Sequence, residues 1–212
     1  LLAIDRNRFC MSNSQCIVIG AGLIGLSAAC ILAKSGLSVV VLEKDLASLS
    51  ALDEQAEPRP LSLNHASFTV LKSLGLEHYL ADFFTPIKHV HVSMQANFGA
   101  ITFSNKQLLV PSLGYVVSYS HLAHALYKGA LDAGVKFVNI QQIDSIKSAS
   151  QQVEVSAKTT AGIGNWTASV CIAADGQNSF CRQHLGLQAH ETTAQYTSDV
   201  FRLQLETEHL NR

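Results

Sequence analysis

Residues 16–43 read Cys16-Ile-Val-Ile-Gly20-Ala-Gly22-Leu-Ile-Gly25-Leu-Ser-Ala-Ala-Cys30-Ile-Leu-Ala-Lys-Ser35-Gly-Leu-Ser-Val-Val40-Val-Leu-Glu43. Cys16 to Gly20 is a short apolar run rich in β-branched residues, which reads as a buried parallel strand. Leu23 to Ser35 follows as a helix with Gly36 at its C-terminal end. Ser38 to Leu42 is a second strand, closed by Glu43. Strand, helix and strand in this order make a βαβ unit with an expected right-handed crossover. Gly20, Gly22 and Gly25 form a G-x-G-x-x-G pattern between the strand and the helix, the context in which it binds dinucleotides. Gly20 permits the tight turn, Gly22 lets the backbone approach a pyrophosphate, and Gly25 lets helix and strand pack closely. The helix N-terminus presents N–H groups and the positive end of its dipole to the phosphates. Glu43 stands about 20 positions on, where a carboxylate accepts hydrogen bonds from adenosine ribose hydroxyls and repels a 2′-phosphate.

Composition narrows the remaining classes. Of the 212 residues, 48% are apolar and 15% charged, which is a core-forming balance rather than a disordered one. The net charge is −1 without a basic block, so nucleic acid is not an expected partner. The five cysteines lack a C-x-x-C pair or metal-ligand spacing, and no metal site is expected. Cys16, Cys30 and Cys171 lie in apolar surroundings and read as small buried hydrophobes of a reduced, cytoplasmic protein. Cys16 to Ala33 carries no charge and follows Arg6 and Arg8, as a signal peptide or membrane span would. Three glycines within its first ten residues, and the second apolar run at strand length, favour strand, turn and buried helix instead. Residues 1–10 lack a pattern and precede Met11, a natural start, so they stand outside the expected fold.

Further along, Asp45 to Pro60 is polar and reads as a loop. Asn64 to Leu74 has helical spacing with Asn64 as N-cap, and Leu76 to Phe84 reads as a short helix. Between residues 88 and 110, Val90, Val92 and Met94 alternate with His91, Ser93 and Gln95, and Ile101 and Phe103 alternate after Asn97-Phe98-Gly99. That is an antiparallel hairpin, solvated on one face and interrupting the α/β pattern. His121 to Ala133 reads as a helix capped by Gly134, and Val135 to Ile140 as a strand. Ile143 to Lys147, Val153 to Ala157 and Trp166 to Ala173 read as further strands, partly a meander. Ser179 to Leu185 reads as a short helix, and Ser198 to Leu205 as one more strand.

The second chemistry-bearing stretch is Cys171-Ile-Ala-Ala174-Asp175-Gly176-Gln-Asn-Ser179-Phe-Cys-Arg182, a strand ending in a turn that sets a carboxylate beside exposed backbone. From the residues alone, an ordinary turn and a ligand site stand equal. Ala174, Asp175, Gly176, Ser179 and Arg182 resemble the DG motif of the FAD-dependent aromatic hydroxylases, the para-hydroxybenzoate hydroxylase-like family. Arg59-Pro-Leu-Ser-Leu63 is similar to the segment that sets an Arg against the flavin there. His89-Val-His-Val-Ser93 through Phe103, then Leu113-Gly-Tyr-Val-Val117, resemble the ubiquinone-biosynthesis branch, and within it the 2-octaprenyl-6-methoxyphenol hydroxylases. The resemblance runs from about Gln15 to about Leu187.

The resemblance implies an α/β fold: a Rossmann-like FAD/NAD(P)-binding domain with an inserted, incomplete antiparallel substrate-domain sheet. Residues 11–87 and 113–189 would be the two parts of the FAD-binding domain, 88–112 a substrate-domain hairpin, and 190–212 the start of a truncated substrate domain. It implies FAD as cofactor, NAD(P)H as electron donor, and hydroxylation of a polyprenylated phenol with O2. The cofactor performs the chemistry and the protein positions it. Gly20, Gly22, Gly25 and Glu43 match the AMP-side site, Arg59 the cofactor-contacting Arg, and Asp175 with Gly176 the ribose-pyrophosphate motif linked to NAD(P)H use. A polyprenyl substrate implies a ubiquinone-biosynthesis complex at the membrane surface and a location peripheral to its inner face. Tyr119 stands where many relatives place an Arg or Gln against the cofactor. The family's third motif, a Gly-Asp segment, has no counterpart after Arg182. The alternative expectation is therefore a truncated, catalytically inactive fragment, and a less favoured one a stand-alone nucleotide-binding module.

Several residues are set aside. His121 and His124 at i, i+3 read as a solvated helix face, and His89 and His91 as the polar, solvent-facing side of the hairpin. Trp166 reads as packing. No nucleophile arrangement is supported, and the catalytic residues stay unassigned.

Overall fold

A computed structural model describes residues 9–51, 59–94, 98–190 and 192, with side chains from Ser14 onward. In chain order the elements are β1 (Phe9–Asn13), β2 (Cys16–Ile19), α1 (Leu23–Lys34), β3 (Val39–Glu43), α2 (Leu46–Ser50), β4 (Pro60–Asn64), α3 (His65–Ser73), α4 (Glu77–Leu80), β5 (Thr85–Ile87), β6 (His89–Ser93), β7 (Ala100–Ser104), β8 (Gly114–Ser118), α5 (Tyr119–Asp132), β9 (Lys136–Asn139), β10 (Gln142–Ser148), β11 (Val153–Thr159), β12 (Gly162–Ala168), β13 (Val170–Ala173) and α6 (Phe180–His184). They form two compact units. The first takes the chain through residue 52 and resumes at Ala123; the second holds the residues between.

The first unit centres on a parallel sheet of order β13-β2-β3-β9, in which Ile17 pairs with Val40 and Val18 with Val41. Every residue of β2 is buried, as the uninterrupted apolar run predicts for a strand covered on both faces. Ile17, Ile19, Val40 and Leu42 pack on one side against Ile143, Val155, Ala157 and Trp166. Those partners come from a second sheet of order β1-β12-β11-β10. Alternation turns Val18 and Val41 to the opposite face, where α1 packs on β2 and β3. Gly25, Leu26, Ala29 and Cys30 are the buried stripe of α1, and the Cys30 thiol donates to the Leu126 carbonyl of α5 at 3.3 Å.

Four sequence expectations need correction in this unit. Trp166 to Ala173 is two strands: the chain leaves the antiparallel sheet after Ala168 and joins the parallel one at Val170. An extended stretch without a turn residue does not reveal a change of sheet. Asp45 to Pro60 is not all loop, because Asp45 caps α2 by accepting from Ser48 N–H at 3.2 Å. Phe9 and Cys10, set outside the fold, belong to β1, which runs parallel to β12; backbone pairing at a sheet edge requires no side-chain pattern. Cys171 is half-buried, whereas Cys181 joins the core.

The second unit holds a three-stranded sheet of order β4-β8-β5 and the β6–β7 hairpin. Asn64 caps α3 as expected, accepting from Ser67 N–H at 2.8 Å. Phe68 of α3 stacks on Tyr115 of β8 at 3.9 Å between ring centroids. The Leu76 to Phe84 helix is shorter than its spacing indicates: only Glu77–Leu80 is helical, and Thr85–Ile87 is an edge strand, where Pro86 is tolerated. The hairpin forms as expected, with Val90 opposite Phe103 and Val92 opposite Ile101. It differs in being exposed on both faces rather than one.

Candidate functional site

Gly20 extends β2 by donating its N–H to Leu42 O at 2.9 Å. It then turns with φ +95°, a conformation that favours glycine. A Cβ at Gly20 would collide with the Ala174 carbonyl oxygen, and one at Gly25 with the Gly20 carbonyl oxygen. These two glycines are thus required by the close approach of backbone to backbone. Gly22 is different. It is the N-cap of α1, and nothing lies within 4 Å of where its Cβ would stand. No side chain caps the helix and no acidic residue occupies its first turn. The open space and the N–H groups of the first turn suit a phosphate.

Glu43 ends β3 and turns its carboxylate to this loop. Oε2 accepts from Ala21 N–H at 2.5 Å, and Oε1 accepts from the N–H groups of Lys44 and Asp45 at 2.7 and 3.0 Å. Three backbone donors hold the carboxylate in place. Each oxygen retains acceptor capacity for a ribose hydroxyl.

Asp175 follows β13 and lies beside the same loop. Its Oδ1 accepts from the Ser179 hydroxyl at 2.6 Å and its Oδ2 from Cys181 N–H at 3.0 Å. Partial burial opposes ionisation of this carboxyl. The Cys181 N–H and the Ser179 hydroxyl outweigh it and hold the pKa below the ordinary aspartate value. Gly176, next in the chain, has φ +85° and open surroundings. Gly20, Glu43, Lys44, Asp175, Asn178 and Phe180 line one cleft. It lies at the carboxyl ends of β2, β3 and β13, where open α/β sheets bind ligands. Sequence reading missed Lys44 and Asn178; their only signal was adjacency to Glu43 and to Asp175-Gly176.

Arg59 belongs to the second unit. Its carbonyl accepts from Tyr119 N–H at 3.0 Å, and its guanidinium carbon lies 5.4 Å from the Tyr119 ring centroid. Tyr119 is thus the stacking partner of Arg59.

His121 and His124 are not a solvated face. His121 Nδ1 meets Ser118 Oγ at 2.5 Å, and its ring stacks on Phe83 at 3.7 Å. Both histidines are partly buried, because α5 turns this side inward. His89 and His91 are exposed, as expected, and Trp166 is core packing. Burial pushes the Cys171 thiol up to about 11, with Asp175 adding to it. Burial, then the bond and charge of Asp175, push Cys181 up to about 12. Neither thiol is a nucleophile at neutral pH.

The family described as FAD binding domain matches residues 13–212. The chain belongs to this family. Its FAD-binding-domain sequence is 28% identical over 178 residues to the 3-demethoxyubiquinol 3-hydroxylase of Escherichia coli (strain K12), covering 84% of this chain and 45% of that protein. It is 26% identical over 197 residues to the ubiquinone hydroxylase UbiM of Neisseria meningitidis, covering 89% and 41%. The chain therefore spans less than half the length of these curated relatives. Among solved structures, its FAD-binding-domain fold is similar to the p-nitrophenol 4-monooxygenase PnpA of Pseudomonas putida DLL-E4, with TM-score 0.66, 19% identity, and 84% and 44% coverage. It is similar also to the flavin-dependent monooxygenase PieE, solved with FAD and substrate, with TM-score 0.64, 18% identity, and 82% and 32% coverage. The α/β fold and the flavoprotein family expected from the sequence are both borne out. Among the described residues no helix is long and apolar enough to cross a membrane; Cys16 to Ala33 is β2 and α1.

Proposed function

We propose that Gly20, Gly22, Gly25 and Glu43 hold the adenosine and pyrophosphate side of FAD in a monooxygenase that hydroxylates a polyprenylated phenol of ubiquinone biosynthesis. The observation that carries this reading is the uncapped, acid-free N-terminus of α1, open at Gly22 and faced by the anchored Glu43 carboxylate. Phosphate oxygens would accept from the N–H groups of the first turn of α1, and ribose hydroxyls would donate to Glu43. Gly176 would let backbone approach the cofactor from the other side of the cleft, with Asp175 holding that turn in shape. Arg59, stacked on Tyr119, would meet the flavin end. When bound, FAD would supply the redox chemistry, taking electrons from NAD(P)H and activating O2 for transfer of one oxygen atom to the ring.

The names of the two ubiquinone hydroxylases support the substrate class. A polyprenylated substrate would place the enzyme, and any ubiquinone-biosynthesis partners, at the membrane surface, peripheral to its inner face. Residues 11–87 and 113–189 would form the FAD-binding domain, 88–112 a substrate-domain hairpin and 190–212 its continuation. The absorption spectrum of the purified chain titrated with FAD tests this reading. A saturable perturbation of the flavin band, weakened by G22A, is expected; free-flavin absorption at all concentrations overturns it.

A further inference from the structure

The β6–β7 hairpin carries an apolar face that the flavin reading leaves unused. Cross-strand pairing sets Val90 opposite Phe103 and Val92 opposite Ile101, so alternation puts these four side chains on one face. All four are exposed. The ladder runs one step further, with Asn105 N–H donating to Lys88 O at 3.0 Å. Lys88 therefore follows Val90 and Val92 at the margin of that face.

Next to Lys88, residues 104–110 close into a turn held by side chains. The Asn105 amide donates to the carbonyls of Val110 and Pro111 at 3.2 and 3.0 Å, and Ser104 N–H donates to Gln107 Oε1 at 3.2 Å. The turn sets Leu109 at φ +53°, the left-handed region that a bulky apolar residue rarely takes. It leaves Leu109 93% exposed, with Leu108 exposed before it. Two leucines held out into solvent on a strained backbone gain nothing from the fold itself, and strain of this kind points to a use outside it. Lys106 belongs to the same turn and is exposed as well.

Charge decides what such a surface meets. From Phe83 to Leu131 the sequence has no Asp or Glu. A second copy seated on this face would bring lysines against lysines, and the stretch holds no carboxylate to pair them. An anionic bilayer satisfies both features. Acyl chains accept the leucine and valine side chains, while lysine stems lie along the boundary and carry their ammonium groups to the headgroup phosphates.

We propose that this face docks on an anionic lipid bilayer, with Leu108 and Leu109 entering the acyl boundary and Lys88 and Lys106 at the headgroups. The inference rests on the membrane location proposed above and names the surface that makes it. Its geometry lies wholly within the second unit.

The test is flotation of the 212-residue chain with vesicles of phosphatidylcholine and phosphatidylglycerol, against phosphatidylcholine alone, with FAD binding measured on the same preparation. Binding to the anionic vesicles is expected. It should weaken about tenfold without phosphatidylglycerol, or when Lys88→Gln and Lys106→Gln are combined. Leu108→Ser with Leu109→Asn should weaken it at least about tenfold; asparagine accepts the left-handed backbone, so the turn is kept. In Leu109→Trp, the new emission should shift to the blue with vesicles and be quenched by brominated lipid. All four positions are exposed, so none of these variants removes core packing. Absence of flotation with the anionic vesicles overturns the proposal. So does an affinity unchanged by loss of the leucines or of phosphatidylglycerol. A dimer that Leu108→Ser with Leu109→Asn dissociates would give the face to a second copy and overturn it too. FAD binding without vesicle binding removes only this inference. Vesicle binding without FAD binding keeps the surface and removes the flavin reading.

Discussion

β3 and β6 are both five residues long and both contain repeated valines, yet their environments are opposite. Val41 in β3 is 0% exposed, whereas Val92 in β6 is 52% exposed. β3 lies between β2 and β9, with α1 on one face and Val155 and Trp166 on the other. β6 has β7 beside it and apolar side chains on an uncovered face. The valines are not what differs. What surrounds the strand decides whether a β-branched side chain is core or surface.

The largest test of that contrast is Leu42→Ala against Ile101→Ala. Leu42 is 1% exposed and Ile101 61%. The first should cost about 2–5 kcal/mol in urea unfolding, the second no more than about 0.5 kcal/mol. Equal costs would mean that the hairpin face is covered in solution, and the contrast would break.

Next comes a pair within one motif. Gly25→Ala drives a methyl group into the Gly20 carbonyl and should destabilise by about 1–3 kcal/mol. Gly22→Ala enters open space. It should change unfolding by less than about 1 kcal/mol, yet weaken FAD binding at least about tenfold, or about 1.4 kcal/mol. Calorimetric titration alongside unfolding separates the two. An unaltered FAD affinity for Gly22→Ala would remove the pyrophosphate from this loop.

A smaller effect is expected at Asp175. Its carboxyl is held below the ordinary value, so its stabilising contribution is complete above about pH 4, the unfolded aspartate range. It is lost as the pH falls through the native pKa. Asp175→Asn should cost about 1 kcal/mol at pH 7, and the gap to the parent protein should close in acid. A gap that persists unchanged below that range would show that the carboxylate charge is immaterial. The smallest effect is Lys72→Ala, which removes an exposed 3.2 Å ion pair with Glu77. It should cost under about 1 kcal/mol and vanish in high salt.

The first unit was legible because local signals agree there. Apolar runs, three glycines and an acid at fixed spacing each specify the same turn, and Glu43 does reach the Gly20 loop through Ala21 N–H. The second unit was less legible. β8 shows no strong alternation, and β5 contains Pro86, so neither announces a strand. Their pairing with each other and with β4 is a tertiary event. At the site, Asp175 was found by its motif, but its bonds to Ser179 and Cys181 depend on how the turn after β13 closes.

By itself the sequence determined the βαβ unit and its dinucleotide chemistry, because tight turns and helix N-termini are local objects and glycine is the residue that permits them. Only the tertiary structure decided which carboxylate oxygens are already engaged, that Trp166 and Val170 belong to different sheets, and that His91 meets Thr102 across the two strands of the hairpin. These depend on register and on the meeting of distant strands, which no local pattern of residues encodes.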